Sequence, residues 1–284
     1  MMEHYYEATT RIQKTIPAIL YHYCPTDKLH FLLEPGADLC CRYLTCQGDK
    51  EEYRFGASRL CDYIRSKGLQ YRSVGDVIET NLVENIGCVG MKMVGPIIPL
   101  TFSLTERIDS RYHYKEYCKD DGCAIAFNQE RLDSACGEAL KRGLSLRLIR
   151  CYYEGRNDAE ILTLCESFWQ DQFSNLERIR QSNYSDVEVG KRVLSEICCI
   201  APHFKRRTYL EDNEWRIVMV SQVWEDVDEH GFRASGLRDV TLHGDLIDLM
   251  EGVAVQRGRS RNNVMCELGR FALQQRKPDF KVWV

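Results

Sequence analysis

Several familiar chemical devices are missing from this sequence, and each gap removes a class of function. The 14 cysteines include no CxxC pair, and the seven histidines fall into neither HxH nor HxxxH spacing, so no zinc-ligand set is legible. A GxxxxGKS/T phosphate loop, a GxGxxG turn and a GxSxG elbow are all absent, which argues against a kinase, a Rossmann dehydrogenase and an α/β-hydrolase. No apolar run is long enough to cross a bilayer, and the leading MMEHYYEATTRIQK lacks the apolar core of a signal peptide. Charge of one sign is also lacking: 38 Lys and Arg against 42 Asp and Glu leave −4, so no global field recruits nucleic acid or an anionic membrane. The expectation is a fold made in a cytoplasm, with thiols reduced and mostly buried. Export into a host cell would need a route without a classical signal. No repeat or Pro/Ser-rich linker divides the 284 residues, so a single domain is expected over 1–284.

What is present reads as α+β, with many short strands, helices between them and no strict βαβ alternation. AILYHY (18–23) predicts a first strand stopped by Pro25, KLHFLLEPG a short helix and DLCCRYL (38–44) a second strand. Residues 51–67 and 73–86 read as helices, with Gly68 ending the first. GPIIPLTFSLT predicts a strand whose Pro96 and Pro99 confine it to an edge or a late start, and CAIAFN a short buried strand. Asn128 caps a helix with an apolar stripe of Leu132, Ala135, Cys136, Ala139 and Leu140, ended by Gly143. LSLRLIRCYYE alternates as one strand. Asn157 with Glu160 forms a capping-box pattern before a long helix facing inward through Ile161, Leu164, Cys165, Phe168 and Trp169. Further helices are expected near 186–201 and 245–257. The basic runs FKRR (204–207) and RGRSR (257–261) read as solvated helix ends, with binding of a ligand's phosphates the minority alternative.

YLEDNEWRIVMVS (209–221) is the most unusual stretch. As a strand it puts Trp215, Ile217 and Met219 on one face, with Glu214, Arg216 and Val218 on the other. A carboxylate and a guanidinium on a buried face need partners, because unpaired buried charge is costly. Mutual pairing is the plain explanation. TFSLT (101–105) lines up Thr101, Ser103 and Thr105 on one face, for which ladder pairing is the plain explanation. His22 sits in an apolar strand between Tyr21 and Tyr23, where an imidazole is more often a satisfied core group than a working one. Tyr114 and Tyr117 lie three apart, neighbours if helical, and such pairs more often belong to a core.

The order of these features is more informative than any one of them: His on a first strand, Ser/Thr on a middle strand, Glu opening a late strand. That layout resembles ADP-ribosyltransferases. The segments LYHYCPTDKLHFLLEPGADLCCRYLTCQGDKEEYRFG, LTFSLTERIDSRYHYKEYCKDDGCAIAFN and APHFKRRTYLEDNEWRIV resemble the bacterial family described as DUF2971, over about 20–218. Two departures stand out. TCQGDKEE replaces the family's Asn-Asp-Pro, and Tyr114 stands where a Trp is usual.

The resemblance implies an ADP-ribosyltransferase-like split β-sheet core, with helical insertions at about 50–92 and 157–205. It implies NAD as co-substrate and a protein acceptor, with a host-cell protein among the candidates and nucleic acid not expected. Glu214 would hold the ribose and face an oxocarbenium-like centre, a charge that appears only in the transition state. Ser103 would orient it. His22 would donate to NAD, with Arg42 on the second strand also at the NAD site. Tyr23, Tyr114 or Tyr117 would stack on nicotinamide. Asp212, two residues before Glu214, would engage an arginine acceptor, with Glu211 the alternative. Glu214→Ala is expected to leave folding intact and slow transfer roughly 10²-fold. Alternatives from the same features are a non-catalytic nucleotide- or protein-binding module, an NAD glycohydrolase and a nucleic-acid ADP-ribosyltransferase.

Overall fold

The computed structural model describes residues 3–13, 16–34, 37, 39–43, 51–80, 97–119, 121–141, 146–182, 187–222, 237–240, 246–255 and 280–283. The elements begin with α1 (Glu3–Ile12), β1 (Ile19–Pro25), α2 (Thr26–Leu33), β2 (Leu39–Tyr43), α3 (Glu52–Ser66), α4 (Leu69–Ile78) and β3 (Ile97–Thr105). Next come α5 (Arg111–Cys118), β4 (Gly122–Asn128), α6 (Gln129–Lys141), β5 (Leu146–Arg150), β6 (Tyr152–Tyr153), α7 (Asp158–Gln181) and α8 (Val187–Ile200). The last are β7 (Phe204–Lys205), β8 (Glu214–Gln222), β9 (Leu237–Val240), β10 (Met250–Val255) and β11 (Lys281–Trp283). The chain is α+β.

One mixed sheet runs β11-β10-β4-β1-β3-β2-β9, with β8 on the other edge of β3 and β5 outside β8. β8 covers β3 along its length, from Ile97↔Gln222 to Thr105↔Glu214. The opposite edge of β3 is shared: β1 meets it at Tyr21↔Thr105 and β2 at Thr101 and Leu100. The sheet therefore forks at β3. Alternation sorts the two faces as expected. Phe102, Leu104, Trp215, Ile217 and Met219 join a core with residues of α2 and α6. Burying a side chain of this size contributes roughly 1.5–3 kcal/mol. Thr101, Ser103, Thr105, Glu214, Arg216 and Val218 take the other face. A helical layer of α1, α3, α4, α7 and α8, with its own core, covers part of that face, and α5 sits beside it around Tyr23 and Tyr114. Ten cysteines among the described residues are free and buried. No helix among the described residues is long and apolar enough to cross a membrane.

Several expectations need correction. Of the two alternatives for β3, an edge position is overturned and a late start holds: the strand is central, begins at Ile97 after Pro96, and among the described residues pairs with β2 from Leu100 onward, past Pro99. Gly68, at φ +139°, serves both as the stop of α3 and as the N-cap of α4, which begins at Leu69 rather than 73; residues 81–86 lie outside the described residues. The run expected as one strand from Leu144 breaks at Cys151 into β5 and β6, which belong to different sheets. Asn157 makes no side-chain cap; its Oδ1 accepts from the Tyr153 N–H at 3.1 Å. Asn128 does cap α6, accepting from the Arg131 N–H at 3.0 Å, but Leu140 of the expected stripe is exposed. The helix expected near 245–257 is a 3-10 turn, Leu246–Leu249, followed by β10. Gly252 explains the strand: a Cβ there would lie 2.0 Å from the Lys281 carbonyl oxygen, so only glycine lets β11 pair so closely. Gly143 and Arg257 to Arg261 lie outside the described residues.

Candidate functional site

The turn into β8 gathers charge from four segments. Arg207–Asp212 forms a 3-10 segment, and Asn213, at φ 41°, adopts the left-handed conformation that asparagine tolerates better than most residues. This reversal starts β8 at Glu214 and leaves Asp212 beside it. Asp212 is pinned through its backbone: its carbonyl oxygen accepts from Thr105 Oγ1 at 2.8 Å and from His113 Nε2 at 3.1 Å. A carbonyl only accepts, so His113 carries its proton on Nε2. The Asp212 carboxylate takes two phenols on Oδ1, from Tyr112 and Tyr117 at 3.0 Å each, and the Lys205 ammonium on Oδ2 at 2.6 Å.

Glu214 is gripped from both sides. Arg216 donates Nε to Oε1 at 2.7 Å and a terminal nitrogen to Oε2 at 2.9 Å, while Lys205 also donates to Oε2. The same guanidinium reaches Glu52 at the start of α3 and the Pro202 carbonyl oxygen at 3.0 Å. Lys205 lies 3.7 Å from Glu52 as well. The Glu214 N–H donates to the Tyr153 hydroxyl at 2.8 Å. Three acidic side chains thus share two cations, with Arg216 fully buried, Lys205 3% exposed and Glu214 6% exposed. Burial alone would raise the Glu214 pKa, but the Arg216 and Lys205 charges override it and hold the carboxyl far below the usual range. Lys205 is likewise pushed well above the ordinary lysine value: burial opposes its charge, and Glu214 and Glu52 outweigh burial.

Of the expected site residues, the structure brings together Asp212, Glu214 and Tyr117, whose half-exposed ring carries a hydroxyl bonded to Asp212. Ser103 stands opposite Arg216 on the same face. Strands β8, β3 and β1, bearing Glu214, Ser103 and His22, lie side by side. The His22 side chain does not join the others. It sits on the opposite face, stacked on Phe102 at 4.1 Å, with Nδ1 2.8 Å from the Ser103 carbonyl oxygen. Tyr114 is buried, and its hydroxyl donates to Ala254 O at 3.2 Å, so it cannot stack on a ligand. Tyr23 pins the start of α5: its hydroxyl donates to Arg107 O at 2.9 Å and accepts from the Ser110 N–H at 3.0 Å, and its ring stacks on His113. Glu211 is exposed and paired with Arg107 at 2.8 Å, away from the network. Arg42 lies on β2 opposite Thr101; its side chain is outside the described residues.

Sequence reasoning missed Lys205 and Glu52. Lys205 stands in a basic run read as solvated, yet it is buried. Glu52 opens the helix expected over 51–67, where nothing singled it out, and it is buried. The available signal was the odd acid: Asp212, Glu214 and Arg216 leave one negative charge over on a buried face, so another cation had to come from elsewhere. The geometry argues against the expectation that Glu214→Ala spares the fold, because the substitution would strip a partner from two buried cations. Two hollows lie elsewhere, one of about 660 Å³ beside Arg131 and Asp248 and one of about 350 Å³ between Arg59 and Asp158.

No family model, curated protein or solved structure matches the chain.

Proposed function

We propose that the chain is an NAD-dependent mono-ADP-ribosyltransferase whose working surface is the Ser103–Glu214 face of β3 and β8. The observation carrying this reading is the Glu214 carboxylate, kept ionised on the same face as Ser103, two residues from Asp212 and next to the half-exposed Tyr117. Cleaving the bond from ribose to nicotinamide develops positive charge on the sugar. A fixed anion with no reorganisation to undergo lowers that barrier. The three-acid, two-cation network leaves one unit of formal negative charge for the purpose. Tyr117 is the aromatic that would stack on nicotinamide, and Ser103 would hydrogen-bond the ribose. His22 has no part in this version. Asp212 would receive an arginine of a protein acceptor by exchanging its phenol bonds for a guanidinium pair.

A second reading is favoured by one specific contact. Both oxygens of Glu214 already face a cation, which suits a binding module held rigid by its charges. Incubating the chain with NAD labelled in the adenylate and a cell lysate separates the readings. A labelled protein band supports transfer, free ADP-ribose supports hydrolysis and labelled nucleic acid points to a different acceptor. Intact NAD throughout supports the binding module and contradicts the transferase.

A further inference from the structure

Lys205 is the cation of the network that contacts both Asp212 and Glu214, and the proposed chemistry gives it no task. Lysines normally keep their ammonium in water. This one is buried at the end of a two-residue strand, with its Nζ on Asp212 Oδ2 at 2.6 Å, on Glu214 Oε2 and 5.0 Å from the Tyr209 ring centroid. Its backbone is registered by β6, where Tyr153 pairs with Lys205 and the Glu154 N–H donates to the Lys205 carbonyl at 3.0 Å. Tyr153 also accepts the Glu214 N–H, so the same short strand fixes both the lysine and the acid it contacts. We propose that Lys205 is a positioning residue: its ammonium sets the separation and orientation of the Asp212 and Glu214 carboxyl groups. The catalytic consequence rests on the transferase reading; the electrostatic one does not.

The charge surrounding Glu214 decides whether this works. Glu52 on α3 and Asp212 in the preceding turn repel it, while Arg216 on its own strand and Lys205 on β7 attract it. The neutral groups nearby are the Cys151 thiol, the Tyr153 hydroxyl and, on α5, Tyr117 and His113. Without Lys205, three acids share one guanidinium, and one of them takes up a proton at higher pH. Asp212 and Glu214 then lose their common anchor.

The test is Lys205→Met, which keeps the length of the side chain and removes its charge. The acid limb of thermal stability against pH is expected to move up by about one unit or more, and the acid limb of NAD consumption is expected to move with it. Lys205→Arg, which restores a cation, should return both limbs toward the wild type. A purely structural lysine would lower the active fraction and leave the kinetic limb in place, and that result would overturn the proposal. If the wild type consumes no NAD, the transferase reading fails, and the stability limb alone decides whether Lys205 holds Glu214 ionised. Should Lys205→Met not fold, Glu52→Gln removes an acid competing for the same ammonium. The stability limb is then expected to move to lower pH, and an unmoved limb would equally overturn the assignment.

Discussion

The imidazole Nδ1 of His22 lies 2.8 Å from the backbone carbonyl oxygen of Ser103. Beyond Tyr21↔Thr105, β1 peels away from β3, so this carbonyl would otherwise face the fork without a ladder partner. A carbonyl only accepts, which places the imidazole proton on Nδ1. Burial lowers the His22 pKa to about 4 despite that bond, so the ring is neutral at pH 7. Its role is to close a gap in the sheet.

His22→Phe keeps the stacking on Phe102 and removes the donor. The orphaned carbonyl should cost about 1–3 kcal/mol in urea unfolding, with no change in the KM for NAD. A raised KM at unchanged stability would return His22 to the site. The histidine pKa values also fix a pH trend. His203 is held at about 4 by burial too. The unfolded forms of both bind protons near 6.5, so their contribution is complete above that pH and is lost as pH falls toward 4. Proton NMR should find neither ring titrating between pH 5.5 and 8.

Arg216→Met leaves Glu52 and Glu214 without their guanidinium in a buried site. The expected loss is about 3–5 kcal/mol, read from chemical denaturation. Combining it with Glu52→Gln should cost less than the sum of the separate changes, because the pair shares one contact. Additive losses would mean that the two groups are not coupled.

Glu196 offers an independent check on the helical layer. It is buried on α8 with only Oε2 bonded, to Gln172, and Oε1 has no hydrogen-bond partner. Burial first and the Asp171 charge second raise its pKa to about 8. The folded state therefore binds a proton that the unfolded state releases near 4.5. Its stability contribution is full below that pH and is lost as pH rises through about 8. Glu196→Gln should abolish this decline, measured as Tm between pH 5 and 9; a parallel decline in the variant would refute the assignment.

Tyr117 and Tyr112 both hydrogen-bond Asp212, but only Tyr117 carries a well-exposed ring. Tyr117→Phe should preserve NAD affinity and Tyr117→Ala should weaken it, by roughly 1–3 kcal/mol if the ring stacks on the base. Equal effects of the two variants would assign the hydroxyl rather than the ring.

Periodicity made the sheet legible. β1, β2, β4 and β8 begin and end close to where apolar runs meet Pro25, charged loops or the Asn213 turn, and the two faces of β8 follow directly from alternation. The Lys205 side chain was hidden because Phe204–Lys205 is too short a strand to show a pattern, and its neighbours Arg206 and Arg207 suggest solvent. The long-range partners were hidden for a different reason. Nothing local in DKEEYRF distinguishes a Glu52 that meets Arg216 across the fold from Glu51, which is exposed. His22 shows the limit of strand order as a guide: β8, β3 and β1 lie side by side, but a change of one residue in register decides which face a side chain occupies.

The most direct test is nicotinamide release from NAD by the wild type and by Glu214→Gln, each confirmed folded by circular dichroism at the assay temperature. The account predicts measurable release by the wild type and a loss of about 10²-fold or more in the variant. Release that is absent in the wild type, or unchanged by the substitution, would contradict it.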